Sequence, residues 1–190
     1  MVLSQALLKR LAVLTVAVYG GGGDAVAAVS SELSAVEPDV LTALLEPSEI
    51  DAFESRSRPR ILRLVALDQR PALRRYLAEN LGRYELPPGP DARGLLEALA
   101  HDSSPVVQRT MAVQLGMLLE RWPLFDRMEL IADWSLSSDT ELRLAMARAL
   151  CRPVAAWGVR TALQLLSQDD DSWVRQAALS AARLRGVALS

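Results

Sequence analysis

At 190 residues the chain is long enough for one sizeable domain or one continuous array. Half of it is hydrophobic (51%) but only 5% is aromatic, so its core must be Leu, Ala and Val, a set that favours helix over strand. Net charge is −2, and one cysteine (Cys151) with one histidine (His101) excludes an intramolecular disulfide and a His/Cys zinc cluster. A lone cysteine fits a reducing, cytoplasmic setting.

In chain order, the first predicted element is a helix with an apolar stripe of Leu7, Leu11, Leu14 and Val18, in which Lys9 and Arg10 precede the apolar run Leu11 to Val18. Its apolar run is too short to span a bilayer. A core or partner-docking helix is the leading reading, and a secretory signal or membrane-surface anchor the other. Gly20 to Gly23 end it, and Asp24 can cap a second helix running to about Val36. Pro38 and Pro47 each sit where the first turn of a short helix would begin.

Charge shifts along the chain. Residues 1–55 carry two bases against eight acids, and residues 56–83 carry eight arginines against Asp68 and Glu79. An acidic head therefore precedes an arginine-rich segment. The two either neutralise each other or leave an anion-binding face.

From residue 58 onward a phrase recurs. It reads Asp68-Gln69-Arg70-Pro71-Ala72-Leu73-Arg74, then Asp102-Ser103-Ser104-Pro105-Val106-Val107-Gln108. It returns as Ser137-Ser138-Asp139-Thr140-Glu141-Leu142-Arg143 and Asp169-Asp170-Asp171-Ser172-Trp173-Val174-Arg175. The apolar anchors Leu73, Val107, Leu142 and Val174 lie 34, 35 and 32 residues apart. Such a period marks stacked helix pairs, and stacked arrays usually act by presenting a surface. First helices are predicted near 60–67, 91–100, 124–134 and 154–166. Second helices are predicted near 71–83, 105–120, 139–151 and 172–185. Residues 86–90, with three prolines, form a rigid loop.

The turn residues have physical roles. Ser104 before Pro105 reads as an N-cap, Ser138 with Glu141 as a capping box, and Asp169 to Asp171 as negative charge at a helix N-terminus. The second helices share one apolar face: Leu77, Met111, Met146 and Ala178, then Leu81, Leu115, Leu150 and Ala182. Ala78, Ala112 and Ala147 beside it allow close helix approach.

These residues resemble the HEAT repeat family, particularly its short bacterial forms, over about residues 58–186. The resemblance implies an all-α protein, an α-solenoid of about four helix pairs, with residues 1–57 as an N-terminal helical cap or diverged repeat. It also implies a structural ladder in which turn aspartates (Asp68, Asp102, Asp169) and second-helix arginines (Arg74, Arg143, Arg175) tie adjacent repeats. Ser137 and Gln108 depart from those two columns.

Catalytic motifs are lacking. There is no phosphate loop of the G-x-x-x-x-G-K type, no G-x-S-x-G elbow and no H-E-x-x-H, and no cofactor is expected. His101 reads as a helix-end residue. Cys151 reads as a structural thiol, although Arg152 beside it would lower its pKa. DNA glycosylases for alkylated purines, some of them built of HEAT-like repeats, look similar in the phrase Asp171-Ser172-Trp173-Val174-Arg175-Gln176-Ala177-Ala178. That resemblance would need a tryptophan and an acid converging in a cleft, from Trp134 and Asp133, Trp157, or Trp173 and Asp171. Trp134 and Trp173 read instead as gap-fillers between repeats.

The leading expectation is a non-catalytic scaffold or adaptor for protein–protein interaction, binding an acidic or amphipathic segment on the concave surface. The exposed column two past the anchors is Arg75, Arg109, Leu144 and Gln176. Six past the anchors lie Glu79, Val113, Arg148 and Ser180. The alternative is nucleic-acid binding through the arginines of 56–83, extended by Arg109, Arg148 and Arg183.

Overall fold

The computed structural model describes residues 36–155 and 157–189. The helices expected before Val36, with the glycine run, lie outside these. Every regular element among the described residues is helical. The chain divides into two compact units, Met1–Ala98 and Leu99–Ser190, with the break inside one helix.

The first unit carries α1 (Pro38–Leu44), α2 (Pro47–Ile50), α3 (Arg58–Ala66) and α4 (Pro71–Asn80), followed by a 3-10 turn (Leu81–Arg83) and the start of α5 (Pro90–Ala100). A proline occupies the first or second position of α1 to α4, where its missing N–H would have had no helical partner. Pro90 likewise opens α5 rather than ending the loop before it. Leu62, Leu77, Leu81, Leu95 and Leu96 fill the core without solvent exposure. Tyr84 is fully buried among them, and its hydroxyl donates to the Leu45 carbonyl at 2.7 Å. Arg58 fastens the segment before α3. Its guanidinium donates to the carbonyls of Phe53 (3.0 Å), Asp51 (2.6 Å) and Glu85 (3.0 Å).

The second unit holds the end of α5, then α6 (Pro105–Arg121), α7 (Leu124–Ser135), α8 (Thr140–Ala149), α9 (Val159–Leu166) and α10 (Ser172–Leu184). Helix α8 packs against α6, α10 and α7, while α9 packs against α10 and α7. The predicted apolar face is the core: Met111, Leu115, Met146, Leu150, Ala178 and Ala182 are all buried. At Gly116 the backbone of α6 comes close to the end of α8. A Cβ there would meet the Ala149 carbonyl oxygen at 2.7 Å and the Arg152 Cβ at 2.8 Å.

Three local expectations need correction. The cap of α8 is Asp139, not Ser138: its carboxylate accepts from Glu141 N at 2.9 Å. Ser104 holds the cap position of α6 without a side-chain bond; its backbone N–H donates to Asp102 Oδ1 at 2.8 Å. And α9 starts at Val159, five residues late. Arg185, capping α10, donates to the carbonyls of Arg152 and Val154 (the latter 2.9 Å), and so ties that link to the end of α10 outside any helix. Gly158 then enters α9 at φ 86°, a left-handed conformation that suits glycine.

Candidate partner-binding face

The turn residues set where each second helix begins. At all four turns the first residue's side chain accepts from the backbone N–H two residues on. Asp68 accepts from Arg70 N (2.8 Å), Asp102 from Ser104 N (2.8 Å), Ser137 from Asp139 N (3.1 Å) and Asp169 from Asp171 N (2.9 Å). The residue six further on then donates to that first residue's carbonyl. Arg74 does so at 2.6 Å, Gln108 at 2.9 Å, Arg143 at 2.9 Å and Arg175 at 2.6 Å. The serine and glutamine that depart from the two columns therefore keep the local bonds.

One tie between successive turns is also present. Arg143 Nε and Nη2 reach the Asp169 carboxylate at 2.6 and 3.1 Å, with side chains 16% and 8% exposed. The Arg143 hydrogen bond is the main cause that holds the Asp169 carboxyl below its ordinary value. Asp68 is also held low: burial pushes it up, and bonds from Arg70 outweigh that.

On α4 in the first unit, Arg75 and Glu79 are exposed and pair with each other at 2.7 Å. In the second unit, α6 presents Arg109 and Val113, the latter 48% exposed, and α10 presents Gln176 and Ser180. Arg148 on α8 is half-buried. Leu144 is not exposed as expected: only 9% of it reaches solvent. Helix α8 has neighbours on both sides, so little of its surface remains open, and its inward face turns to take in Leu144 while Leu142 is left half-buried.

Arg148 is the unusual charge. Among the described residues its guanidinium has no hydrogen bond or ion-pair partner. Burial, and then the like charge of Arg109, hold its pKa below the ordinary value, with Glu141 pulling the other way. Two guanidiniums from adjacent helices thus share one face beside exposed Val113, where an anion would relieve their repulsion.

The other singled-out residues fall as follows. His101 directly follows α5 and its Nε2 lies 2.6 Å from Asp139 Oδ2. Burial pushes the half-buried Cys151 thiol up, so the expected lowering by Arg152 does not prevail. Trp134 is buried, whereas Trp173, also expected as a gap-filler, is 65% exposed, a correction. Trp173 stands in the first turn of α10, ahead of the residues that face the core. The Asp171 carboxylate is engaged in capping, accepting from Trp173 N and Val174 N. No group of three or more His, Cys, Asp or Glu among the described residues is placed to hold a metal ion. No helix among them is long and apolar enough to cross a membrane.

Sequence reasoning missed an apolar groove between α7 and α9, lined by Met128, Ile131, Ser135, Leu136, Trp157 and Leu165 among others. Its signal was present in the stripe Phe125, Met128, Ala132 and Leu136, at helical spacing along the first helix predicted near 124–134. Compared with known proteins, the chain matches no protein-family model, no curated protein and no solved structure.

Proposed function

We propose that the chain is a HEAT-like α-solenoid of helix pairs, acting in the cytoplasm as a scaffold that binds an acidic, partly apolar segment of a partner protein. The turn bonds, repeated at one six-residue offset through four helix pairs, support the repeat reading. The binding reading rests on one observation: Arg148, half-buried and without a partner among the described residues, beside Arg109 and the exposed Val113. A carboxylate of the partner would take the two guanidiniums, and an apolar side chain would cover Val113.

Nucleic-acid binding through the arginines of 56–83 draws less support. Within the first unit Arg58 pairs with Asp51 and Glu85, Arg60 with Asp91, Arg70 with Asp68 and Arg75 with Glu79. Those charges are largely met before any phosphate arrives.

The test is fluorescence anisotropy with a labelled Glu/Leu-rich peptide and with labelled duplex DNA, at low and moderate salt. The peptide should bind, and Arg109→Glu with Arg148→Glu should weaken it by about tenfold or more. Equal binding to the double variant, or DNA bound more tightly than peptide, would overturn the proposal.

A further inference from the structure

The second helices of this unit run side by side in one direction. At their starts, His101 before α6 meets Asp139 before α8 at 2.6 Å, and Arg143 of α8 meets Asp169 before α10 at 2.6 Å. At their far ends, Gly116 of α6 nears the Ala149 carbonyl, and Arg185 donates to the Arg152 carbonyl. Matching turns of α6, α8 and α10 therefore lie abreast.

Along the partner-binding face, side chains recur every seven residues. On α6, the exposed Val106 and Val113 stand on either side of Arg109. On α8, the half-buried Glu141 and Arg148 stand on either side of Leu144. Residues seven apart return to nearly the same side of a helix, about 10.5 Å further along. An extended segment returns to one side about every 6.6 Å, so its spacing matches neither row. A second helix laid alongside matches both.

The charge of the α8 row is split. In the first turn, the Glu141 carboxylate has no hydrogen bond or ion pair among the described residues and acts on Arg148 only through space. Asp139 beside it is already engaged by His101. Two turns on stands Arg148, with Arg152 one turn further. Arg109 belongs to that positive end, since its charge acts on Arg148 more strongly than that of Glu141. A wholly acidic segment would meet repulsion at Glu141. A helix favours acids in its first turn and bases in its last. Such a helix meets opposite charge at both ends only if it runs antiparallel to α8.

Resting on the partner-protein reading of this face, we infer that the bound segment is an α-helix antiparallel to α8. It places a Glu over Arg148 and, seven residues later, a Lys or Arg over Glu141. Apolar side chains on its next face, also seven apart, cover Val106 and Val113.

The test is fluorescence anisotropy with labelled peptides of about 16 residues, built of helix formers around one apolar face. They differ at two positions seven apart: Glu then Lys, Lys then Glu, or Glu at both. Non-specific attraction to the arginines would favour the doubly acidic peptide. The Glu-then-Lys peptide should instead bind about two- to fivefold more tightly than either of the others. Glu141→Gln should erase that gain, as should a proline midway between the two charges, which breaks a helix. Equal binding of all three, tighter binding in the reverse order, or a gain that survives Glu141→Gln or the proline would overturn the inference while the face still takes peptide. If no peptide binds the parent, or if Arg109→Glu with Arg148→Glu binds them as the parent does, the partner-binding reading falls as well.

Discussion

The two departures from the turn columns, Gln108 and Ser137, occupy the positions on α6 and before α8 that Arg143 and Asp169 occupy on α8 and before α10. Both keep their local bonds. If α6 and α8 repeat the relation of α8 to α10, Gln108→Arg with Ser137→Asp should build a second rung there. Each single change preserves the bond within its own turn, since Arg and Asp make the same bonds at the other turns. The reference rung is a two-point contact at 2.6 and 3.1 Å between mostly buried groups. A charge-assisted bond of this kind is worth about 1.5–3 kcal/mol, and its desolvation offsets part of that. The double variant itself is therefore expected within about 1 kcal/mol of the parent, because a buried pair often breaks even. The coupling term should nonetheless be about 1–3 kcal/mol, read from urea unfolding of parent, singles and double. Coupling below about 0.5 kcal/mol would refute the equivalence of the two seams, and with it the repeat interpretation of Gln108 and Ser137.

Three further outcomes follow from the same contacts. Asp169→Asn keeps an acceptor for Asp171 N but strands the Arg143 guanidinium, and should cost about 3 kcal/mol at neutral pH. Because the folded Asp169 pKa is depressed, this stabilisation is fully present above the unfolded value near ~4 and is lost as pH falls through the lower folded value. The difference between parent and variant unfolding curves should therefore shrink in acid, and a difference that does not change with pH would contradict the assignment. Gly94→Ala and Gly116→Ala should move in opposite directions, read by thermal and urea unfolding. Both gain up to about 1 kcal/mol in helix propensity. At Gly94 the nearest obstacle is the flexible end of Arg63 at 2.9 Å, whereas at Gly116 the Arg152 Cγ stands at 2.6 Å and, less yielding, the Ala149 backbone carbonyl at 2.7 Å. Gly116→Ala should cost about 1–3 kcal/mol. Ser135→Ala removes an unpaired hydroxyl and should raise stability by about 1 kcal/mol. Destabilisation of that size would mean the hydroxyl has a partner within the fold.

The helix pairs were legible because punctuation and periodicity agreed. Prolines mark the starts of α4, α5 and α6, and turn acids mark α8 and α10. The face through Leu77, Met111, Met146 and Ala178 is buried throughout. The late start of α9 was illegible because its cause is 31–33 residues away, in Arg185 holding the carbonyls of Arg152 and Val154. The Leu144 exposure failed for a related reason. Counting from anchors assumes that every second helix turns the same side inward, but α8 has neighbours on both sides and α10 does not. Of the candidate face, the sequence placed Arg109, Val113, Arg148 and Gln176 at the surface. It did not show that Arg148 makes no hydrogen bond or ion pair among the described residues, since that depends on which acids other arginines have already engaged.

The missing rung and the unpaired arginine belong together. Between α8 and α10 the seam carries a buried carboxylate, and Arg143 is neutralised by it. Between α6 and α8 Ser137 stands where the corresponding acid would be, and the carboxylate of that turn, Asp139, is engaged by His101 and Glu141 N. A departure that lowers the charge of the turn thus leaves the neighbouring face more positive. Restoring the acid alone, as Ser137→Asp, adds a carboxylate at the turn leading into α8, whose field reaches over roughly a Debye length (~8–10 Å). At a near-surface dielectric this is worth about 0.5–1.5 kcal/mol, a loss of roughly two- to tenfold in affinity for the Glu/Leu peptide. Adding Gln108→Arg should return most of that affinity, because the new acid would then be occupied by its own rung. Anisotropy with the same peptide measures both steps. Binding unchanged by Ser137→Asp, while Arg148→Glu still weakens it, would separate the turn from the face and leave the serine as a purely local substitution. Loss with Ser137→Asp that Gln108→Arg fails to reverse would point to altered packing of α8 in place of electrostatics.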